Sequence, residues 1–282
     1  MAAAIYQRPS DHVLKNATIT INTGVDPGDA TYGPTALVDD NPAKVAKINS
    51  TTAAWVADFG SAQRIDLVAL IHHNFDAGAN VKIQANTING NWSGSPGPAF
   101  EAAITIPTWY GRTANPWPVN PWLDLTTCTP TKGTYNTTGW RYWRLVITSN
   151  SQNIQLGQWV MGPAIRRFDR NYKWHQVREV TSPIIRSRTG FGVQTKYARG
   201  THLVSFKLTE QPTTTFAGEL RTTWIESGGA ATPWLFIPDP TLNEAYFSTW
   251  GDDIQSLSYD LQNVWSHQIQ IDEVARGLRP GT

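Results

Sequence analysis

Apolar and polar positions alternate along much of the chain with the period of two that a pleated strand imposes on its side chains. In "NVKIQA", Val81, Ile83 and Ala85 alternate with Lys82 and Gln84. In "YWRLVIT", Trp143, Leu145 and Ile147 alternate with Arg144, Val146 and Thr148. Both patterns predict half-buried strands. "RIDLVALI" differs: Ile65, Leu67, Ala69 and Ile71 are apolar, and so are Val68 and Leu70 between them, which predicts a central strand covered on both faces. Residues 86–139 are rich in Pro, Gly, Asn and Trp around one strand-like island, "AAITIP", and read as long loops.

A Gly-Pro pair and the start of a basic stretch interrupt the pattern at "MGPAIRRFDRNYK", which places a domain boundary near residue 165 and divides the chain into 1–165 and 166–282. Beyond it, "HLVSFKLTE" and "SHQIQIDEV" return to a period of two. Between them, "TTTFAGELRTTWIESGG" sets Phe216, Leu220 and Trp224 four apart behind a Thr N-cap, with Gly228 and Gly229 as a stop signal, and predicts one helix. The chain reads as mainly β.

Composition narrows the class. With 282 residues, 16% charged, 11% aromatic and 13 tryptophans, the chain has the material for a real core and is neither disordered nor coiled-coil. A net charge of +1 gives no global drive towards nucleic acid or an anionic membrane. The one cysteine, Cys128, excludes an internal disulfide and a multi-Cys zinc module. "MAAAIYQRPSDHVLK" lacks the apolar core of a signal peptide and "LVALI" is far shorter than a membrane span, so the expectation is a soluble, cytoplasmically assembled product without membrane insertion.

Residues of about 14–164 carry motifs in a recognisable order. "ALVDDNPAKVAKINSTTAAWVADFG" contains Asp39-Asp40-Asn41 shortly after Ala36, followed by Trp55, Asp58, Phe59 and Gly60; "RIDLVALI" comes next, and "WRYWRLVITSNSQNIQLGQWVMG" closes the series. In this the chain resembles the discoidin, or coagulation-factor type C, family of galactose-binding-like jelly rolls. The resemblance implies a jelly-roll sandwich with ligands at its loops. It departs from the family in having Asp39-Asp40 where the family has Asp-Gly, in lacking the terminal disulfide, and in the length of 86–139. Family members can hold calcium near that segment, which makes Asp39, Asp40 and Asn41 calcium candidates, against an Asp-rich capped turn. The expected cofactor set is otherwise empty.

The stretch "LIHHNFDAGANVKI" raises a metal-site question that its spacing answers. Adjacent strand residues point to opposite faces, so His72 and His73 do not readily share one ion; the strand is expected to end there and turn, with Asn74 and Asp76 bonding their own backbone. The same stretch also resembles one found in virion proteins of tailed bacteriophages.

Residues 166–199 hold nine basic side chains, among them Arg166, Arg167, Arg170 and Lys173, against two acids, a balance of 9 − 2 = +7. Residues 239–273 hold seven acids, among them Asp252 and Asp253, and no Lys or Arg, a balance of −7. Paired strand faces, a contact between copies, and a nucleic-acid surface all fit this pattern, the last least well because the acidic stretch already neutralises the basic one. The layout from "WHQVREV" to "IDEVARG" resembles minor tail or distal-tail proteins of tailed bacteriophages, which implies a second β-barrel-like domain with one α-helix, contacts with other copies in a ring and with other tail proteins, and a place in the virion.

No nucleophile elbow, metalloprotease helix, phosphate loop or dinucleotide fingerprint is present, so an enzyme is not expected. Glu210, Glu219 and Glu226 are the carboxylates a glycosidase reading would use, against solvated surface acids. Trp92, Trp109, Tyr110, Trp117 and Trp122, in Pro-rich loops, are candidates either for stacking on host glycans or for subunit contact. The leading expectation is a structural virion protein of the tail or tail tip; the alternative is a carbohydrate-binding module or accessory domain of a surface-active protein.

Overall fold

The computed structural model describes residues 4–41, 44–106, 120–168, 177–181, 184–189, 192–197, 203–210, 214–228, 231–250, 258–260 and 264–273. Along the chain the strands are β1 (Ile5–Gln7), β2 (Thr18–Thr23), β3 (Ala46–Ile48), β4 (Ala53–Gln63), β5 (Leu67–His73), β6 (Asn80–Asn86), β7 (Phe100–Ile104), β8 (Trp122–Asp124), β9 (Trp140–Thr148) and β10 (Ile154–Gly162). There follow β11 (Arg166–Arg167), β12 (Val177–Thr181), β13 (Ile184–Thr189), β14 (Gly192–Tyr197), β15 (Leu203–Glu210), β16 (Trp234–Ile237), β17 (Tyr246–Trp250), β18 (Ser258–Asp260) and β19 (Val264–Glu273). Helix α1 spans Thr214–Glu226. The protein is mainly β, and its ladders are antiparallel.

The first part of the chain is a β-sandwich. One layer is a five-stranded sheet in the order β2-β4-β9-β6-β7 and the other a four-stranded sheet in the order β3-β10-β5-β8. Their facing sides form one core around Trp55, Trp143, Trp159, Leu70, Ile83, Leu145 and Phe100. Alternation explains this: Trp143, Leu145 and Ile147 point inward from β9, and Arg144, Val146 and Thr148 outward.

The four-stranded sheet is buried on its other face as well. Leu67, Ala69 and Ile71 of β5, with Val160 and Trp122, pack against Ile5, Leu235, Ile237, Ala245 and Phe247 of the second sheet. Hence every residue of β5 is buried, as its unbroken apolar run requires. Burial of this kind stabilises by about 25 cal/mol for each Å² of apolar surface withdrawn from water.

The second sheet runs β11-β1-β16-β17-β19-β15-β12, with β18 on β19. Its strand β1 crosses the boundary predicted at residue 165: Ile5 pairs with Ile237 on one side and Arg167 on the other. The N-terminal strand is therefore built into the sheet of the second half. Helix α1 follows β15, and Trp224 packs on the aromatic cluster of Tyr6, Phe168, Trp234, Phe236 and Trp250. Gly228 takes the left-handed conformation (φ +57°) directly after the helix, where its lack of a Cβ ends the turn. Strands β13 and β14 form a separate hairpin.

Candidate binding face on the open sheet

The outer face of the five-stranded sheet carries a connected set of polar side chains that reaches solvent through Lys82. Register places Thr20, Val56, Arg144, Gln84 and Glu101 in one row across all five strands, with Arg144 on the central strand β9. Gln84 donates through Nε2 to Glu101 Oε2 (2.6 Å) and accepts at Oε1 from Arg144 Nη1 (3.1 Å). Arg144 Nη2 donates to Thr23 Oγ1 (3.2 Å). Lys82 Nζ and Thr131 Oγ1 both donate to Glu101 Oε1 at 2.8 Å. Burial pushes the Glu101 carboxyl up, but the bonds from Lys82, Gln84 and Thr131 outweigh it and hold the group below its usual range.

The loop after β6 closes one end of this face. Asn86 Nδ2 donates to the carbonyls of Asn91 (2.8 Å) and Gly97 (3.2 Å) and so ties the loop to the end of its own strand. Trp92 is thereby drawn in until it is 6% exposed, with the Arg144 guanidinium carbon 5.7 Å from its ring centroid, a cation–π distance. Its Nε1 donates to Asn89 Oδ1.

The other expected site residues lie elsewhere. Trp122, on β8, is 8% exposed and belongs to the apolar layer between the two units. Neither Trp92 nor Trp122 offers an open ring to a ligand or a neighbour, because each is packed within its own chain. Trp109, Tyr110, Trp117, Arg170, Lys173, Asp252 and Asp253 lie outside the described residues. Arg166 is engaged internally: Nε and Nη2 grip Asp11 at 2.7 and 3.1 Å. Arg167 is exposed, 3.9 Å from Asp124.

At the calcium candidates, Asp39 Oδ1 accepts from Asn41 N and Gln158 Nε2, both at 3.0 Å, and its other oxygen is 3.2 Å from Lys44 Nζ. Asp40 Oδ2 accepts from Lys15 Nζ at 2.6 Å. Two ammonium groups already occupy these carboxylates, so the residues present do not fit a divalent cation, and Asp39 instead caps a turn as its type favours.

The histidine pair is structural. His73 stacks on Phe75 (4.5 Å between centroids) and its Nδ1 accepts from Phe75 N, while His72 N donates to Asn120 Oδ1. Asn74 and Asp76 brace a neighbouring loop instead of their own turn. Asn74 Oδ1 accepts from Gln155 N (2.9 Å), and Asp76 Oδ2 accepts from Ser151 N (2.6 Å). The physical reason is topology: β5–β6 and β9–β10 turn at the same end of the sandwich, so backbone donors of the second turn are nearer than those of the first.

Glu219 and Glu226, the described members of the carboxylate set, anchor α1. Glu219 accepts from Tyr6 Oη (2.9 Å) and Glu226 from Ser10 Oγ (2.5 Å), with Arg8 and Arg166 within ion-pair reach. Among the described residues no cluster of three metal-ligating side chains occurs, and no helix is long and apolar enough to cross a membrane.

No family model and no curated protein sequence matches the chain. Solved structures do. A Ruminococcus gnavus GH29 fucosidase in complex with fucose is 14% identical, with a TM-score of 0.37 over 56% of this chain and 27% of that one. The lectin domain of Lectinolysin complexed with Lewis B antigen is 10% identical, with a TM-score of 0.35 over 55% of this chain and 98% of that domain. A chitosan-binding module from a Paenibacillus sp. IK-5 chitosanase/glucanase is 14% identical, with a TM-score of 0.33 over 52% of this chain and 94% of the module. This chain thus spans about a quarter (27%) of the fucosidase it matches.

Proposed function

We propose that the protein is a non-catalytic carbohydrate-binding protein whose ligand lies on the outer face of the five-stranded sheet. The observation that carries this is the row Arg144, Gln84, Glu101, with Lys82 and Thr23 beside it, in which each group holds the next in orientation. Sugar hydroxyls donate and accept at once, and a ligand rich in them is matched by donors and acceptors fixed in advance, because less rotamer entropy is lost on binding. Glycan-array screening followed by calorimetry tests it: selective binding that Gln84→Ala weakens about tenfold supports the reading. Binding that the substitution leaves unchanged, or none to any saccharide, contradicts it.

A second reading, a structural virion protein in the tail of a bacteriophage, is favoured by the opposed charge blocks of residues 166–199 and 239–273. With Arg166 held by Asp11, the remaining basic residues of the first block would meet the acidic block of another copy. Light scattering at low and high salt tests it: a salt-sensitive ring-sized species supports self-assembly, and a monomer at high concentration in both conditions excludes it.

A further inference from the structure

Arg144 differs from the other arginines whose side chains are described in how its charge is balanced. Arg8, Arg64, Arg141, Arg166 and Arg167 each lie 2.7–3.9 Å from a carboxylate. Arg221 is exposed to solvent on α1. Arg144 is half-buried, at the middle of the sheet, and its two hydrogen-bond partners, Gln84 Oε1 and Thr23 Oγ1, are neutral. Its Nε is enclosed and has no acceptor.

The consequence shows in its acidity. Aspartates raise the pKa of Arg64, Arg141 and Arg166, whereas burial lowers that of Arg144 with nothing opposing it. Glu101, the one carboxylate in the row, is taken by Lys82. Arg144 and Lys82 against Glu101 leave this cluster at 2 − 1 = +1. A guanidinium partly withdrawn from water without a counter-charge is unfavourable, and a planar oxyanion matches its remaining N–H groups better than a neutral hydroxyl does.

We infer that Arg144 anchors a carboxylate of the bound saccharide, so that the face selects acidic sugars over neutral ones. The assignment rests on the carbohydrate-binding reading and narrows it. Trp92 walls the anion's approach on one side, and the Lys82 ammonium, held beside it by Glu101, remains to meet hydroxyls of the same ring.

Calorimetry with lactose, sialyllactose and sulfolactose tests the assignment. The wild-type protein is expected to bind sialyllactose about tenfold more tightly than lactose, with the preference shrinking at high salt. Arg144→Gln should abolish the preference, bringing the affinities for lactose and sialyllactose together, and Arg144→Lys, which keeps the charge but not the planar fork, should keep part of it; both are checked for an unchanged melting temperature. Should Arg144→Gln melt early, Arg144→Lys alone decides, since an undiminished preference there overturns the planar-fork assignment. Equal affinity for lactose and sialyllactose overturns the inference and leaves the carbohydrate reading standing, as does a preference that survives Arg144→Gln. A preference for sulfolactose over sialyllactose overturns the carboxylate and points to a sulfate. Absence of binding to every saccharide overturns both readings.

Discussion

The two sheets of the sandwich share a core and differ in what lies behind them. The four-stranded sheet meets the second unit through Leu67, Ala69, Ile71, Val160 and Trp122, and its outer face is apolar. The five-stranded sheet faces solvent, and its outer face holds Arg144, Gln84, Glu101 and Lys82. The first sheet packs against the second unit, and the polar row of the second is where the proposed ligand lies. Substitutions behind the first should therefore act on stability, and those on the second on binding.

The largest effect is expected from deleting residues 1–8. This removes β1 from between β11 and β16 and strips Tyr6 from its aromatic cluster, so the second unit should lose its cooperative unfolding transition in calorimetry. A single sharp transition after the deletion would mean that β1 is an accessory. Next, Trp122→Ala opens a cavity between the units and should cost about 3–5 kcal/mol in urea unfolding, without altering saccharide affinity. If affinity falls with stability intact, the division of roles between the sheets fails.

His12 gives a pH-dependent version of the same contrast. It is buried beside β10 of the four-stranded sheet, its Nε2 against the Trp159 carbonyl, and burial, reinforced by the Lys15 ammonium, holds its pKa down at about 3. The unfolded chain takes up a proton near pH 6.5 and the folded one does not. Stability contributed by the neutral ring is present in full above about pH 6.5 and is lost as pH falls towards about 3, by up to about 1.4 kcal/mol per pH unit. His12→Gln should flatten that slope, measured by urea titration at several pH values.

The smallest effects belong to the open face. Glu101→Gln frees Lys82 and should raise affinity for an acidic saccharide by about two- to threefold while changing stability by less than about 1 kcal/mol. A loss of affinity would show that Glu101 accepts from the ligand instead of balancing Lys82.

Much of the sandwich was legible in the sequence because its signals are local. The run in β5 announced cover on both faces, and alternation in β9 correctly turned Arg144 outward. The stop at Gly228 needs only the conformational freedom of one residue. The rest depends on contacts distant in sequence. Three residues, Ile5 to Gln7, are too few to show a period, and their partners stand beyond residue 160, so nothing local marks β1 as part of the second sheet. Trp92 and Trp122 lie in Pro- and Gly-rich surroundings that resemble exposed loops; Asn86 and the facing sheet draw them inward. The distinction of Arg144 was invisible, since an arginine on a polar face usually has a carboxylate opposite, and only the register shows Gln84 and Val56 there instead.

The central claim is that the solvent-facing side of the five-stranded sheet is where a saccharide binds. Titration of the labelled protein with sialyllactose, followed by amide NMR, tests it most directly. Shifts concentrated at Lys82, Gln84, Glu101 and Arg144, and reduced in Arg144→Gln at the same concentrations, are the predicted result. Shifts concentrated instead at residues 74–79 and 149–153, with the sheet unmoved, would contradict it.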